Sequence, residues 1–382
     1  MVEAAAVSSD QLGAYHRLLL RLSGRMPDEL ITICRRWLAE GEFAEIAQAV
    51  HFAALVNGVA MSQEDITLLS GTLAAAGEDP MWLADIDQPD TELPPPYGLA
   101  PVNPEELAEH GDAVPYCIDL TVPYDGPGAA DEIDRAAATA VAAQRDDGLA
   151  ATALWRAWRF PSVQASWPPP RRVYLLQGGN AALLPALAAR MQDALEAAGE
   201  SDPQVETFLD PDELPTYQRI ALGFSALLWA AAPPTPLFVA RLYDALDPEN
   251  RPGFAPDHPL LEDEERGKVF SYLTGSAPLL ITSTCGPDVL DPASGEVVPN
   301  GFVTDGRWIW ADAVAFYLSG YGLAPDPDLL AAIRANHYLP PKVDVVLLHR
   351  ALSVLYAPVV DLGVDDPVES VGSGLETAHV PT

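Results

Sequence analysis

The chain has 382 residues, of which 49% are hydrophobic, and 55 acidic against 21 basic residues give it a formal net charge of −34. This apolar content suffices for one large core or two smaller ones and excludes a disordered chain. The negative charge disfavours nucleic acid and membrane surfaces as partners and favours a basic protein, although solubility alone is the simpler interpretation.

The cysteines and the first residues indicate a reducing compartment. Cys34, Cys117 and Cys285 are odd in number, far apart and in no CxxC pair, which argues against a disulfide framework and a zinc site. Glu3 and Asp10 occur where a signal peptide would need basic and then apolar residues. We therefore expect a cytoplasmic protein. The sequence also lacks an HExxH motif and a regular calcium loop, so we expect no metal and no cofactor.

The N-terminal part shows helical patterning. Residues 10–84 predict four helices, with Ser9 before the first, Gly41 ending the second, and a capping box of Ser62 and Asp65 opening the fourth. Short connections between them are typical of antiparallel helical hairpins.

Two segments lack such patterning. Residues 85–115 are acidic and proline-rich, with three consecutive prolines at 94–96, and predict an extended linker or a wrapping loop. Residues 361–382 are acidic, contain Gly and Ser and no aromatic residue, and predict a disordered tail.

From residue 116 onward, short apolar runs alternate with helical patterns. The predicted strands are 116–122, 173–176, 205–209, 227–231 and 279–282, and the predicted helices are 131–143, 181–198, 216–224, 238–246 and 263–273. Such alternation favours βαβ units around a mostly parallel sheet.

A hairpin and two helices are predicted to follow. Asp305 and Gly306 lie between two β-rich arms in residues 301–310, and helical patterns cover 311–319 and 327–336. The predicted fold is therefore α+β: a helical domain (1–84), a linker (85–115), an α/β domain with a mostly parallel sheet and a C-terminal hairpin plus helices (116–360), and the tail (361–382).

One motif suggests a ligand. Gln177, Gly178, Gly179 and Asn180 form a glycine-rich turn between a strand and a helix, and Asp210 ends the next strand. In a dinucleotide-binding unit such glycines approach phosphate and the acid holds a ribose hydroxyl. The turn lacks GxGxxG and a basic residue that would hold phosphate, so turn geometry alone is the competing interpretation.

Cys285 follows a predicted strand, where α/β folds place ligand-binding groups. A thiol nucleophile needs a base, and His258, His337 or His349 would supply one only if the fold brought it close. A buried small apolar residue is the simpler interpretation, and the catalytic residues stay unknown.

The segment LWRAWRF is basic and aromatic in an otherwise acidic chain. Trp155 and Trp158 have the spacing of an apolar helix face, and Arg156 and Arg159 would then pair with internal carboxylates. Contact with a partner protein and stacking on single-stranded nucleic acid are the alternatives.

Trp308 and Trp310 alternate with Ile309, so on a strand both indoles point to one face. They either cover the core or, together with Asp305, belong to an exposed anchor for a partner.

The TDGRWIW, AFYLSGYG and LLAAIRAN segments within residues 298–336 resemble a TDGxWxW-type module in acidic proteins of high-GC actinobacteria that have no known activity. The similarity extends to RRVYLL at 171–176. The only lysines of the chain are Lys268 and Lys342, and this preference for arginine agrees with a high-GC genome. It implies no substrate and no catalytic residue, but it does imply proteins that accompany secreted toxins or specialised secretion systems.

The sequence therefore favours a non-enzymatic cytoplasmic protein-interaction protein: an accessory, chaperone-like or neutralising partner of a basic protein. The alternative is an enzyme or sensor that binds a nucleotide or nucleoside at residues 177–180. Catalytic residues on scattered loops would leave no linear signature and form a third hypothesis.

Overall fold

The structure is a computed structural model that describes residues 9–80, 83, 86–88, 95–144, 149–161, 169–246 and 252–357. The chain divides into two compact units, unit 1 (Met1–Pro234) and unit 2 (Thr235–Thr382). The predicted α/β domain, 116–360, spans parts of both units, and the predicted tail, 361–382, lies outside the described residues. The predicted α+β class is confirmed.

Unit 1 begins with the four predicted helices: α1 (Ser9–Leu22), α2 (Asp28–Glu40), α3 (Phe43–Asn57) and α4 (Gln63–Ala75). Gly41 and Gly58 end α2 and α3 in the left-handed conformation, with φ of 81° and 61°. The predicted cap of α4 is also present, because Ser62 Oγ accepts a hydrogen bond of 3.1 Å from the Asp65 N–H. The shared core of these helices includes Leu18, Leu22, Cys34, Val50 and Leu69.

The remaining elements of unit 1 build a six-stranded sheet and its helices. They are β1 (Tyr97–Ala100), α5 (Pro104–His110), β2 (Ile118–Asp119), α6 (Glu132–Gln144), β3 (Ala151–Pro161), β4 (Arg171–Gly178), α7 (Leu184–Ala197), β5 (Gln204–Phe208), α8 (Thr216–Gly223) and β6 (Ala226–Ala230). The strand order is β2-β6-β3-β4-β5, and β1 also pairs with β3.

The sheet is mixed, so the predicted mostly parallel sheet is wrong. β4–β5 and β2–β6 are parallel pairs, but β3 is antiparallel to β1, β4 and β6. Only residues 162–170 separate β3 from β4, and a parallel connection needs about a dozen residues or more. The short connection therefore makes these neighbours antiparallel.

The helices of unit 1 are packed onto this sheet. α6 and α7 share a core with Leu154, Tyr174 and Leu176 of β3 and β4, and α2 packs against α7 and β5. The predicted helical segment 1–84 and the sheet consequently belong to one compact unit.

Unit 2 contains short strands and helices. They are β7 (Phe238–Val239), β8 (Ala245–Leu246), β9 (Pro252–Gly253), α9 (Asp263–Gly275), β10 (Ala277–Leu280), β11 (Cys285–Pro287), β12 (Glu296–Pro299), β13 (Phe302–Thr304), β14 (Trp308–Ala311), α10 (Asp312–Tyr321), α11 (Pro327–Ala335) and α12 (Val345–Leu355). The predicted hairpin is confirmed as β13–β14, within a sheet of order β10-β13-β14-β7.

Several assignments in unit 2 differ from the sequence prediction, and strands β9, β11 and β12 were not predicted. The predicted helix 238–246 is wrong, because β7 pairs in parallel with β14 and β8 pairs with β9. Tertiary pairing has overridden the local helical pattern there. Helix α12 was not predicted, although Asp344 caps it by accepting a hydrogen bond from the Leu347 N–H at 2.9 Å. Among the described residues, no helix is long and apolar enough to cross a membrane.

Candidate functional site

The glycine-rich turn lies at the carboxyl edge of the unit 1 sheet. β4, α7 and β5 form the predicted βαβ unit, with β4 and β5 parallel and adjacent. Gln177 Nε2 donates a hydrogen bond of 3.1 Å to the Leu209 carbonyl oxygen. The fold therefore joins the turn to the loop that carries Asp210.

Two polar groups of this turn form hydrogen bonds within the chain. The Gly179 N–H donates to the Ala150 carbonyl at 2.8 Å, and Asn180 Oδ1 accepts from the Ala182 N–H at 3.0 Å. A Cβ atom on Gly178 would lie 2.7 Å from the buried Leu184 side chain, so a larger residue would force that side chain of α7 to shift. These contacts give the motif a structural role.

The charge around Asp210 is negative. Asp210, Asp212 and Glu213 lie within the five residues that follow β5, and all three are exposed. Asp210 Oδ1 accepts a hydrogen bond of 3.0 Å from the Asp212 N–H and begins a short 3-10 turn. Three neighbouring carboxylates repel phosphate and attract cations.

The LWRAWRF segment lies on a central strand, so the predicted helix face is wrong. It belongs to β3, which pairs on both sides, and buried residues therefore follow one another without helical spacing. Trp155, Arg156 and Arg159 are buried, whereas Trp158 is partly exposed and lies 4.8 Å from the Arg172 guanidinium.

Arg156 is held by internal acceptors. Its Nη1 lies 2.5 Å from Asp134 Oδ2, and its Nη2 donates to the carbonyl oxygens of Pro101 and Gly128. Asp134 also accepts a hydrogen bond of 3.1 Å from the Tyr174 hydroxyl. Burial raises the pKa of Asp134, although the nearby Arg156 charge opposes this effect.

Arg159 connects β3 to the N-terminal helices. Its Nη2 lies 2.5 Å from Asp28 Oδ2 at the start of α2, and its guanidinium lies 4.7 Å from the centre of the Tyr97 ring. The Tyr217 hydroxyl is a more distant partner at 3.4 Å. The arginine thus stabilises the interior of unit 1.

A third buried ion pair was not predicted. Arg35 Nη2 lies 2.6 Å from Glu206 Oε2, which also accepts a hydrogen bond of 2.9 Å from Gln218 Nε2. The sequence signal was the single carboxylate between Val205 and Thr207 on an apolar strand, because a buried charge requires a partner. Together the three pairs place arginine charge in the interior.

The TDGRWIW motif organises the hairpin of unit 2. Asp305 Oδ1 accepts hydrogen bonds from the backbone N–H groups of Arg307 and Trp308 at 2.9 and 2.7 Å, and Asp305 Oδ2 accepts one from the Tyr272 hydroxyl at 2.8 Å.

The two tryptophans of the motif differ in burial. Trp310 is 1% exposed and belongs to the core. Trp308 is partly buried against the same core, with its ring 5.1 Å from that of Phe238.

Unit 2 also has a cleft that the sequence did not predict, since its walls come from three separate segments. Its volume is about 760 Å³, and it is lined by Arg241, Asp244, His258–Glu262, Glu264, Glu265, Lys268, Ala324, Pro325, Pro327, Leu330 and Arg334. The basic groups in its wall are paired: Arg241 with Asp326, Lys268 with Glu264, and Arg334 with Glu265.

Both ring nitrogens of the histidine in this cleft have hydrogen-bond partners. His258 Nδ1 lies 2.8 Å from Asp244 Oδ2, and Nε2 lies 2.9 Å from the Ala324 carbonyl oxygen. The pKa of Asp244 is lowered, because hydrogen bonds from the Ala255 N–H and His258 outweigh the opposing effect of burial. The pair therefore fixes a loop and leaves neither ring nitrogen directed at the open cleft.

The cysteines differ in exposure. Cys285 is exposed, so its predicted burial is wrong, because it lies on β11 in a two-stranded sheet with β12. Cys34 and Cys117 are buried, and burial raises the pKa of each thiol to about 12.

In the part of the chain that the structure describes, no group of three or more His, Cys, Asp or Glu residues is arranged to hold a metal ion.

Comparisons with protein families, with curated proteins and with solved structures find no match to this chain.

Proposed function

We propose that the protein is a non-enzymatic cytoplasmic interaction protein that binds a cationic protein as an accessory, chaperone-like or neutralising partner. The observation that carries this proposal is the distribution of charge in unit 1. Arg35, Arg156 and Arg159 are buried and each is paired with a carboxylate, so these pairs are neutral and the acidic excess of the chain stays on the remaining side chains.

Exposed carboxylates occur in local groups on the same unit. Two such groups are Glu105, Glu109 and Asp112 on and after α5, and Asp210, Asp212 and Glu213 after β5. Charges that face water act over about 10 Å at moderate ionic strength and increase the rate of encounter with an oppositely charged protein. A basic partner therefore fits this surface, and its binding should weaken as salt rises.

The test is capture of partners by the full chain from the cytoplasm in which it occurs, with washes at low and then high salt. We expect a stoichiometric basic protein that high salt releases. Two variants replace carboxylates by amides: Glu105→Gln, Glu109→Gln and Asp112→Asn in one, and Asp210→Asn, Asp212→Asn and Glu213→Gln in the other. At least one should bind that protein more weakly; retention of no basic protein at low salt contradicts the proposal.

Nucleotide or nucleoside binding at the glycine-rich turn is the second candidate. The observation in its favour is the hydrogen bond from Gln177 to the Leu209 carbonyl, which brings the turn and the Asp210 loop together. A nucleotide that binds the folded protein would raise its melting temperature, and Asn180→Ala would reduce that rise. If no nucleotide changes the melting temperature, this candidate fails.

A further inference from the structure

Helix α3 has an unusual distribution of apolar residues. Its sequence, FAEIAQAVHFAALVN, is apolar around most of the helix. One face, which includes Ile46, Val50 and Ala54, is buried in the core of the N-terminal helices. A helix that is apolar on most sides is normally buried on most sides, so exposed apolar side chains on the outer face of α3 depart from this rule.

The outer face of α3 exposes large apolar side chains. Phe52 is 70% exposed, Val56 is 65% exposed and Leu55 is 41% exposed. Residues three and four apart are neighbours on a helix surface, so these side chains form one continuous patch. We name Phe52, Leu55 and Val56 the α3 patch.

The same helix carries negative charge at its other end. Glu42, which precedes α3, and Glu45, in its first turn, are both exposed. Gln48 lies between Glu45 and the patch and donates a hydrogen bond of 2.5 Å to Glu78 Oε1, which places a further carboxylate beside the helix. Phe52 follows Glu45 by seven positions, a distance of roughly 10 Å along the helix axis.

We propose that the α3 patch docks an amphipathic basic helix of the cationic partner. Apolar side chains of that helix cover Phe52 and Val56, and a lysine or arginine about two turns away pairs with Glu45. This proposal rests on the proposed function and adds the docking face and the form of the partner.

Charge complementarity selects this occupant. A second copy of the chain would bring another formal charge of −34 to an acidic surface, and that repulsion opposes self-association. A partner that offers apolar and basic groups in the same helix satisfies both ends of α3. The apolar contact provides the affinity, and the ion pairs set the orientation.

The experiment measures binding of the full chain to a fluorescent peptide of leucine and lysine. The peptide has about 18 residues, or five helical turns, with one apolar and one basic face. A second peptide has the same composition but a scrambled order, so that it has equal charge and no apolar face. Fluorescence anisotropy at low salt gives the dissociation constant for each.

Three variants test the surface. Phe52→Ala with Val56→Ala removes most of the patch but keeps good helix formers, and Glu42→Gln with Glu45→Gln removes the nearby charge. Leu339→Ala is the matched control, because Leu339 is 72% exposed and lies in unit 2. Unchanged melting temperatures show that the variants are folded.

We expect the amphipathic peptide to bind more tightly than the scrambled one. The patch variant should weaken its binding at least about tenfold, the glutamine variant should weaken it less and reduce its salt dependence, and the Leu339 variant should leave it unchanged.

Three results would overturn the proposal. If wild type and the patch variant bind both peptides equally, the protein still accepts cationic partners and only the docking face is wrong. If neither peptide binds at low salt, recognition of cationic segments itself fails. If wild type sediments as a dimer at high salt and the patch variant does not, a second copy occupies the α3 patch instead.

Discussion

Arg35 on α2 and Glu206 on β5 form an ion pair of 2.6 Å inside unit 1, where both side chains are at most 2% exposed. The pair is 171 residues apart in sequence and connects a helix of the N-terminal segment to an edge strand of the sheet. Burial of two charges is expensive, so each stabilises the fold only while the other is present.

Glu206→Gln should destabilise unit 1 strongly. The substitution leaves the Arg35 charge buried without its counter-charge, and loss of one partner from a buried pair costs about 3–5 kcal/mol. Urea unfolding followed by circular dichroism measures the change. Glu264→Gln is the control, because it breaks an exposed pair with Lys268 and should lower the stability far less than Glu206→Gln does. A loss for Glu206→Gln no larger than that of the control contradicts this interpretation.

His16 should make the protein sensitive to acid. Burial, together with the Arg35 charge, lowers the pKa of His16 from 6.5 to about 3. The folded protein therefore keeps His16 neutral where the unfolded chain binds a proton. Its contribution is complete above pH 6.5 and is lost as the pH falls toward 3, by about 2 kcal/mol at about pH 5.

The measurement compares unfolding free energies of wild type and His16→Leu across this pH range. The difference between the two proteins should shrink or change sign as the pH falls, because only wild type contains the group that must be protonated. Leu18→Ala, on the same helix, serves as a control whose deficit stays constant with pH. A constant difference for His16→Leu would show that the buried histidine does not produce the acid sensitivity.

Local signals in the sequence predicted the elements that local chemistry determines. Ser62 caps α4, Gly41 ends α2, and Asp305 with Gly306 forms the turn between β13 and β14, because each acts through neighbouring backbone atoms. The LWRAWRF segment was misassigned because burial on both faces of a central strand removes the alternation that identifies a strand.

The candidate site was less predictable because it depends on tertiary placement. The sequence identified Arg156 and Arg159 as unusual, but their partners Asp134 and Asp28 lie 22 and 131 residues away. The sequence did not predict that Phe52 is exposed, since an apolar residue in an apolar helix is normally buried. Only the fold shows that this side of α3 faces outward.

Gly178 should be required for packing, whatever ligand the turn binds. A Cβ atom at this position would lie 2.7 Å from Leu184 and 3.0 Å from Leu187, both of which are buried. Gly178→Ala should therefore destabilise the protein by about 1–3 kcal/mol through overpacking.

Thermal and urea unfolding of the Gly178 variant check this expectation. Gly223→Ala is a suitable control, because a Cβ atom there meets nothing within 4 Å and alanine reduces the freedom of the unfolded chain. If Gly178→Ala is as stable as wild type, α7 can move away from the sheet at little cost and the glycine is not a packing requirement.

Cys285 should be the cysteine that reacts in the folded protein. Its side chain is exposed, whereas burial raises the pKa of Cys34 and of Cys117 to about 12, and the thiolate is the reactive form. An aromatic disulfide reagent at mildly alkaline pH should therefore modify one thiol per chain quickly, and all three after denaturation. Cys285→Ser should remove the fast phase and Cys34→Ser should retain it. A second thiol reacting at the same rate in the folded protein would mean that the core around Cys34 or Cys117 opens readily.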